Sequence, residues 1–415
     1  MMSKKSRAEV IAAVRERYWK AKKAQKSRIL DELVATTGYN RKYAIHLLRH
    51  EKRGTALKKP GRKKVYRGDV IKILEQIWEW SGYVCSKRLQ PFMGEFIARL
   101  EACGELVLSE EHKAALLHMS AATIDRCLKD CRYRTKKHGL STTKPGSLLK
   151  SQIPVRIFTP WDEEQVGFME VDLVAHCGET TVGTYLHTLS ATDIATGWTE
   201  CIALPAKTQE ETMKAIDLLR ARLPFPLRGV DSDNGTEFIN GLLYHYCFDH
   251  EITFTRCRSY HKNDQAHIEQ KNWSVVRKAV GYDRFESPEM LELLRALYEN
   301  MHLFVNFFQP VMKLVGKTVV GNKTHRIHDR AKTPYQRVLA SDQVDPAIKE
   351  QLTSVYNSLN PVALWKSIQA ARARILKIDR LGSFWGNDDH YRRVLKYIVI
   401  LVIPVQNHDF SKGLS

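Results

Sequence analysis

Apolar positions follow a helical period over the first third of the chain and an alternating period beyond it. Near the N-terminus Ile29, Leu30, Leu33 and Val34 recur at helical spacing, and Thr37-Gly38-Tyr39 interrupts them. Asn40 is placed to cap a second helix carrying Ala44, Ile45, Leu47 and Leu48. Two short helices about a glycine turn predict a helix-turn-helix unit in residues 1–51. Helical spacing returns between Asp69 and Arg134, in Val70, Ile73, Leu74 and Ile77, then Phe92, Phe96, Ile97 and Leu100, then Ala114–His118. Ser120 heads a last helix, Ala121–Asp130, which makes 69–134 a second helix-turn-helix candidate. Residues 52–68 and 135–159 lack any apolar period and read as linkers.

After Pro160 the period falls to two: Phe168 to Val174, Tyr185 to Ala191 and Trp198 to Ala203 predict three strands of an antiparallel meander. An amphipathic helix (Thr208–Leu223), a strand ending at Val230, a helix (Phe238–His250), a strand (Ile252–Thr255) and a helix from Gln265 to Val280 follow. The order βββαβαβα predicts an α/β core with a mixed sheet over 160–308. Residues 309–415 form a small C-terminal region, in which Leu381–His390 reads as turn and Lys396–Val405 as one apolar strand.

Composition narrows the class. The longest apolar run, Tyr397–Ile403, is too short to span a bilayer, and the charged N-terminus lacks the apolar segment of a secretory signal. Eight cysteines in 415 residues do not make a disulfide scaffold, so a reduced, cytoplasmic protein is expected. The net charge of +19 is concentrated at one end: residues 1–160 hold 35 Lys/Arg and 15 Asp/Glu, the remainder 30 and 31. That asymmetry points to nucleic acid, because Lys and Arg displace counterions from phosphates.

Several basic positions are placed to meet DNA. Arg41, Lys42 and His46 lie toward the start of the second helix of the first unit, the part that enters the major groove in such motifs. Thr123, Arg126 and Lys129 occupy the corresponding exposed side of the second. Residues 52–67 carry eight basic side chains and no acidic one; Lys59, Arg62, Lys63 and Lys64 there read either as a minor-groove arm or as a flexible linker tracking phosphates. Cys127 and Cys131, with His112 and His118, have zinc-compatible spacing. An i, i+4 cysteine pair inside a predicted helix suits a helix interior equally well.

Three acidic residues carry the chemistry. Asp172 lies within the first strand, Asp233 follows the fourth, and Glu269 sits on the helix after the fifth, with 35 residues between the last two. Around them stand the words Val230-Asp231-Ser232-Asp233-Asn234-Gly235-Thr236-Glu237-Phe238 and Tyr260-His261-Lys262-Asn263-Asp264-Gln265-Ala266-His267-Ile268-Glu269-Gln270-Lys271-Asn272. In these the sequence resembles the retroviral-integrase and bacterial-transposase superfamily, over about Pro160 to Phe308. The N-terminal helix-turn-helix and Thr333-Pro334-Tyr335-Gln336-Arg337 also look like insertion-sequence transposases. The resemblance implies a ribonuclease H-like catalytic core. Its carboxylate triad would hold two Mg²⁺, with Mn²⁺ as substitute, for cutting double-stranded DNA at element ends and joining 3′-hydroxyls to target DNA. It further implies a homo-oligomer on DNA, no membrane, and a bacterial cytoplasmic, nucleoid-associated location.

The residue types fit that chemistry. Carboxylate oxygens are hard ligands suited to Mg²⁺, and two such ions clamp the attacking and leaving oxygens of an in-line displacement. Asp231 competes with Asp233 but gives a spacing of 37 and lies further from the Asn234-Gly235 turn; Glu170 and Asp193 are weaker competitors. Lys262 and Asn263 before the last helix, and Lys271 and Asn272 along it, are expected to contact the DNA backbone. Two rivals remain: a DNA-binding regulator with an idle core, and a structure-selective nuclease with the same metal site.

Overall fold

The computed structural model describes residues 3–49, 66–134, 165–232, 238, 241–256, 266–320 and 323–385. The chain divides into two compact units, Met1–Val65 and Tyr66–Ser415. In the first, α1 (Lys4–Lys20), α2 (Lys23–Thr37) and α3 (Arg41–Arg49) enclose Ile11, Tyr18, Ile29, Leu30, Leu33, Ala44 and Leu48. Gly38, at φ 68°, ends α2 with its N–H on the Val34 carbonyl (2.8 Å), a left-handed cap that a side chain would strain. The Asn40 carboxamide oxygen accepts the Lys42 N–H at 3.0 Å, capping α3 as expected. The open carbonyls at the far end of α3 are met from α1: Arg15 donates to Leu47 O (2.9 Å) and the Trp19 indole to Leu48 O (2.8 Å).

The second unit begins with α4 (Asp69–Trp80), α5 (Ser86–Ala102), α6 (Glu110–Leu117), α7 (Ala121–Cys127) and α8 (Lys129–Arg134). The single helix expected over Ala121–Asp130 is two helices, broken at Leu128, which ends α7 and is buried in the core. Nor do these helices form a free-standing module. Their apolar residues belong to one core running from Leu74 to Ile375, and Arg99 of α5 donates to Leu359 O at 3.0 Å.

The next elements are β1 (Phe168–Ala175), β2 (His187–Asp193), β3 (Thr199–Leu204), α9 (Gln209–Arg222), β4 (Gly229–Ser232), α10 (Gly241–Asp249) and β5 (Thr253–Arg256), in the order the alternation predicts. The sheet is mixed, ordered β3-β2-β1-β4-β5: β1–β3 form the antiparallel meander, while β4 and β5 run parallel to β1. The last helix of the expected core is not uniform. It opens as α11 (Ala266–Lys271), widens into a π-helical segment (Asn272–Arg277) and closes as α12 (Lys278–Val280). The long α13 (Pro288–Phe308) flanks β3, where Asn306 donates to Thr199 O (2.9 Å) and accepts Thr199 N–H (2.8 Å), satisfying backbone groups of the edge strand.

Beyond α13 comes a two-stranded hairpin, β6 (Leu314–Val320) and β7 (Lys323–His328). The helix α14 (Pro334–Ala340) follows, with Thr333 and Gln336 closing a capping box, then α15 (Pro346–Ser358) and α16 (Pro361–Trp385). The turn expected from Leu381 is instead the end of α16 as far as Trp385; the rest of that segment and Lys396–Val405 lie outside the described residues. Among the described residues no helix is long and apolar enough to cross a membrane.

Candidate active site

Strand alternation decides which side chains meet α11. Glu170 and Asp172, two apart on β1, face the same side, and their paired neighbours Asp231 on β4 and Ser190 on β2 share it. One face of the sheet thus carries three carboxylates on adjoining strands. Glu170 and Asp231 are buried and Asp172 half-buried, a costly arrangement unless each receives hydrogen bonds. All three do. The Ile268 N–H donates to Glu170 (3.0 Å), the Thr255 hydroxyl to Asp231 (2.6 Å), and the Asn272 amide to Asp172 (2.6 Å), whose other oxygen accepts the Leu173 N–H (2.8 Å).

Two of those donors come from the helix that carries Glu269. Ile268 is the third residue of α11, so Glu170 satisfies one of its open N–H groups and sets a negative charge at its positive end. Glu269 is exposed, and Asn272, three residues on, occupies a neighbouring position on the same helix side. The Asn272–Asp172 bond therefore sets the turn bearing Glu269 beside Asp172. Asp233 lies outside the described residues; it follows Ser232, the end of β4, whose register partner is Val171, next to Asp172.

The donor set is carboxylate oxygen, which suits a hard divalent cation. Asp172 and Glu269 would supply two such groups. Among the described residues no three His, Cys, Asp or Glu side chains come together around one point, so a full set needs a ligand from outside them.

No family model matches the sequence. The chain is 40% identical over 322 residues to the uncharacterized protein y4rM of Sinorhizobium fredii, an alignment covering 77% of this chain and 91% of that protein. The chain belongs to the y4rM family. The shared length reaches well beyond one motif.

Within this y4rM-family chain the helix positions expected to touch DNA need correction. Lys271 is buried, with its ammonium 3.3 Å from Gly197 O; burial, aided by Arg88, pulls its pKa down to about 7. It faces the protein interior because it lies on the same stripe as Ile268, Val275 and Ala279. Asn272 spends its amide on Asp172 rather than on a phosphate. Lys262 and Asn263 lie outside the described residues. Asp193, a weaker competitor for the triad, is a turn anchor: it accepts the Gly167 N–H and both the N–H and hydroxyl of Thr196 (2.9, 2.7 and 2.6 Å).

In the first unit Lys42 and His46 are exposed on α3, while Arg41 is engaged by Asp31 and by the Ser27 hydroxyl (2.7 Å), tying α3 to α2. Arg126 and Lys129 are exposed, but the Thr123 hydroxyl is shared with Ser120 (3.0 Å) and Arg126 (3.0 Å) at the head of α7. Lys59, Arg62, Lys63 and Lys64 lie outside the described residues. Cys131 donates to Glu75 (2.8 Å), an interior contact within the helical core.

Sequence reasoning missed two residues. Glu170 was weighed only as a rival ligand, whereas it anchors α11. Asn272 was grouped with the phosphate contacts, although its three-residue spacing from Glu269 signalled a place on the carboxylate side.

Proposed function

We propose that the chain is a DNA transposase with a ribonuclease H-like core, acting through Asp172, Asp233 and Glu269. The observation that carries this reading is the Asn272–Asp172 hydrogen bond, which joins the central strand to the Glu269 helix on the carboxylate face. The antiparallel meander continued by two parallel strands supports it, because β4 delivers the chain to Asp233 one residue beyond the partner of Val171. The three carboxylates would hold Mg²⁺ or Mn²⁺, which supplies charge neutralisation and an activated oxygen nucleophile.

Asp172 is fixed by the two hydrogen bonds it accepts, so it needs little reorganisation on meeting a cation or a phosphodiester. Glu269, exposed on its helix, faces incoming substrate. Water attack on a phosphodiester breaks the P–O3′ bond and leaves a 3′-hydroxyl and a 5′-phosphate. Attack of that 3′-hydroxyl on a target phosphodiester forms a new P–O bond and expels the target's 3′-hydroxyl, with no other reactant consumed. The basic N-terminal third would hold the element ends. Because one chain has one triad and two ends must be joined, the working form is a dimer or larger complex on DNA.

The test is a strand-cleavage and strand-joining assay on labelled duplexes taken from the DNA on either side of the coding sequence. Asp172→Asn, Asp233→Asn and Glu269→Gln should each abolish both products while end binding in a gel shift persists. Cleavage without joining by the unaltered chain would favour the nuclease; end binding with neither product would favour the regulator.

A further inference from the structure

The hairpin β6–β7 gathers exposed apolar and basic side chains in one element. Its apolar residues Leu314, Val315, Val319 and Ile327 are 41%, 63%, 71% and 48% exposed, and His325, Arg326 and His328 are exposed beside them. An isolated two-stranded ribbon is marginal in water without a packing layer. The charge is one-sided as well. Between Lys313 and Arg330 there are five Lys/Arg and two His, and one acidic residue, Asp329. Asp329 is already taken, pairing with Arg337 at 2.7 Å and accepting the Lys313 N–H at 2.7 Å. A bound polyanion would answer both that charge and the exposure.

We propose that β6–β7 is a DNA-binding ribbon that lies in the major groove of a duplex, its basic residues, exposed Arg326 among them, meeting phosphates. This deepens the transposase reading and rests on it. A major groove admits a two-stranded ribbon, and a seven-residue strand reaches roughly 23 Å, enough to cross the groove and meet both phosphate rims. At the ribbon's root is a polar cavity of about 280 Å³ whose lining includes Thr196, Lys313, Lys332, Arg337, Ser341 and Asp342, where three cations against one acid suit a phosphate leaving the groove. The exposed Val319, whose register partner Thr324 lies on the same face as Arg326, gives that face of the ribbon apolar contact to thymine methyls. The charge pattern favours DNA over a second copy of the chain, because no acidic residue in 314–328 could answer the same ribbon on a partner.

The experiment measures anisotropy of a labelled 40-base-pair duplex with the full chain across a salt series, comparing the unaltered protein with Lys317→Ala/Arg326→Ala. If each cation engages one phosphate, the log–log salt slope should fall by about 1.8 and affinity near 0.15 M salt by about 30-fold. Thermal unfolding should be unchanged, since the ribbon lies outside the core. A charge-conserving Lys317→Arg/Arg326→Lys variant should retain the slope. An unaltered slope in the alanine variant overturns the ribbon proposal while leaving the transposase reading intact. Loss of oligomer in light scattering with DNA binding retained would overturn it in favour of a protein interface. Failure of the unaltered chain to bind duplex at all would instead sink the functional reading.

Discussion

Replacing Glu170 by alanine removes the group that fixes the start of the Glu269 helix. Its carboxylate accepts the Ile268 N–H at 3.0 Å, with both residues buried: 1% and 0% exposed. In Glu170→Ala that N–H loses this acceptor with little access to water, a penalty of about 1–3 kcal/mol. The loss of negative charge at a helix N-terminus adds roughly 0.3–1 kcal/mol. A total of about 1–4 kcal/mol should lower Tm by roughly 2–5 °C in a unit this large. Glu170→Gln keeps an oxygen acceptor and gives up only the charge, so about 1 kcal/mol is expected. Calorimetry reads the global cost, and hydrogen exchange followed by mass spectrometry reads the local one. Peptides covering 266–280 should exchange faster in Glu170→Ala, those from the first unit should not, and strand cleavage should fall with DNA binding preserved. If 266–280 exchanges as slowly as in the unaltered chain, Glu170 does not anchor the helix and the reasoning fails.

Further outcomes follow from other buried groups. Lys271→Met should raise stability at pH 7 and leave the salt slope of DNA binding unchanged, because it removes a buried cation whose Gly197 acceptor retains the Thr199 hydroxyl; calorimetry and anisotropy check the two halves. In the unaltered chain Lys271, with a folded pKa near 7 against an unfolded value near 10.4, makes stability rise with pH across that window, since the unfolded state binds the extra proton. Burial pushes Asp193 the opposite way, up to about 6, against hydrogen bonds from Thr196 and Gly167 and the charge of Lys313, so its contribution to stability is lost as pH rises from about 4 through 6. Asp193→Asn should remove that dependence in urea titrations run across the same pH range. Maleimide labelling of the native protein should modify exposed Cys85 and spare Cys201, whose thiol burial raises to about 12.

The element order was legible because period-two segments and helical segments alternate from Phe168 to Val280, and the caps Asn40 and Ser120 mark helix starts. What stayed hidden depends on packing. The break at Leu128 is set by burial of that side chain in a core shared with distant helices. The same core explains why 69–134 does not stand alone: Arg99 finds its acceptor at Leu359, 260 positions away, a pairing no local pattern announces. At the site, the sequence words single out Asp172 and Glu269, and strand alternation alone puts Glu170 on the same face as Asp172. The inward turn of Lys271 was not, because a lysine within a basic-looking helix reads as solvated until a neighbouring stripe of Ile268 and Val275 is seen to bury it.

The π-helical segment Asn272–Arg277 has a consequence for how this family can vary. A π turn takes one residue more than the α-helix it replaces, and each residue of an α-helix advances the face by about 100°. The front half of the helix, with Ile268 and Glu269, and the rear half, with Val276 and Val280 fully buried, are therefore phased independently. Deleting a single residue there would return the helix to regular winding. It would also swing either the carboxylate off the sheet or the valines out of the core. Relatives that lack the extra residue must have re-timed one half, and an alignment gap within 272–277 would accordingly be matched by compensating apolar changes at positions facing Val276 and Val280.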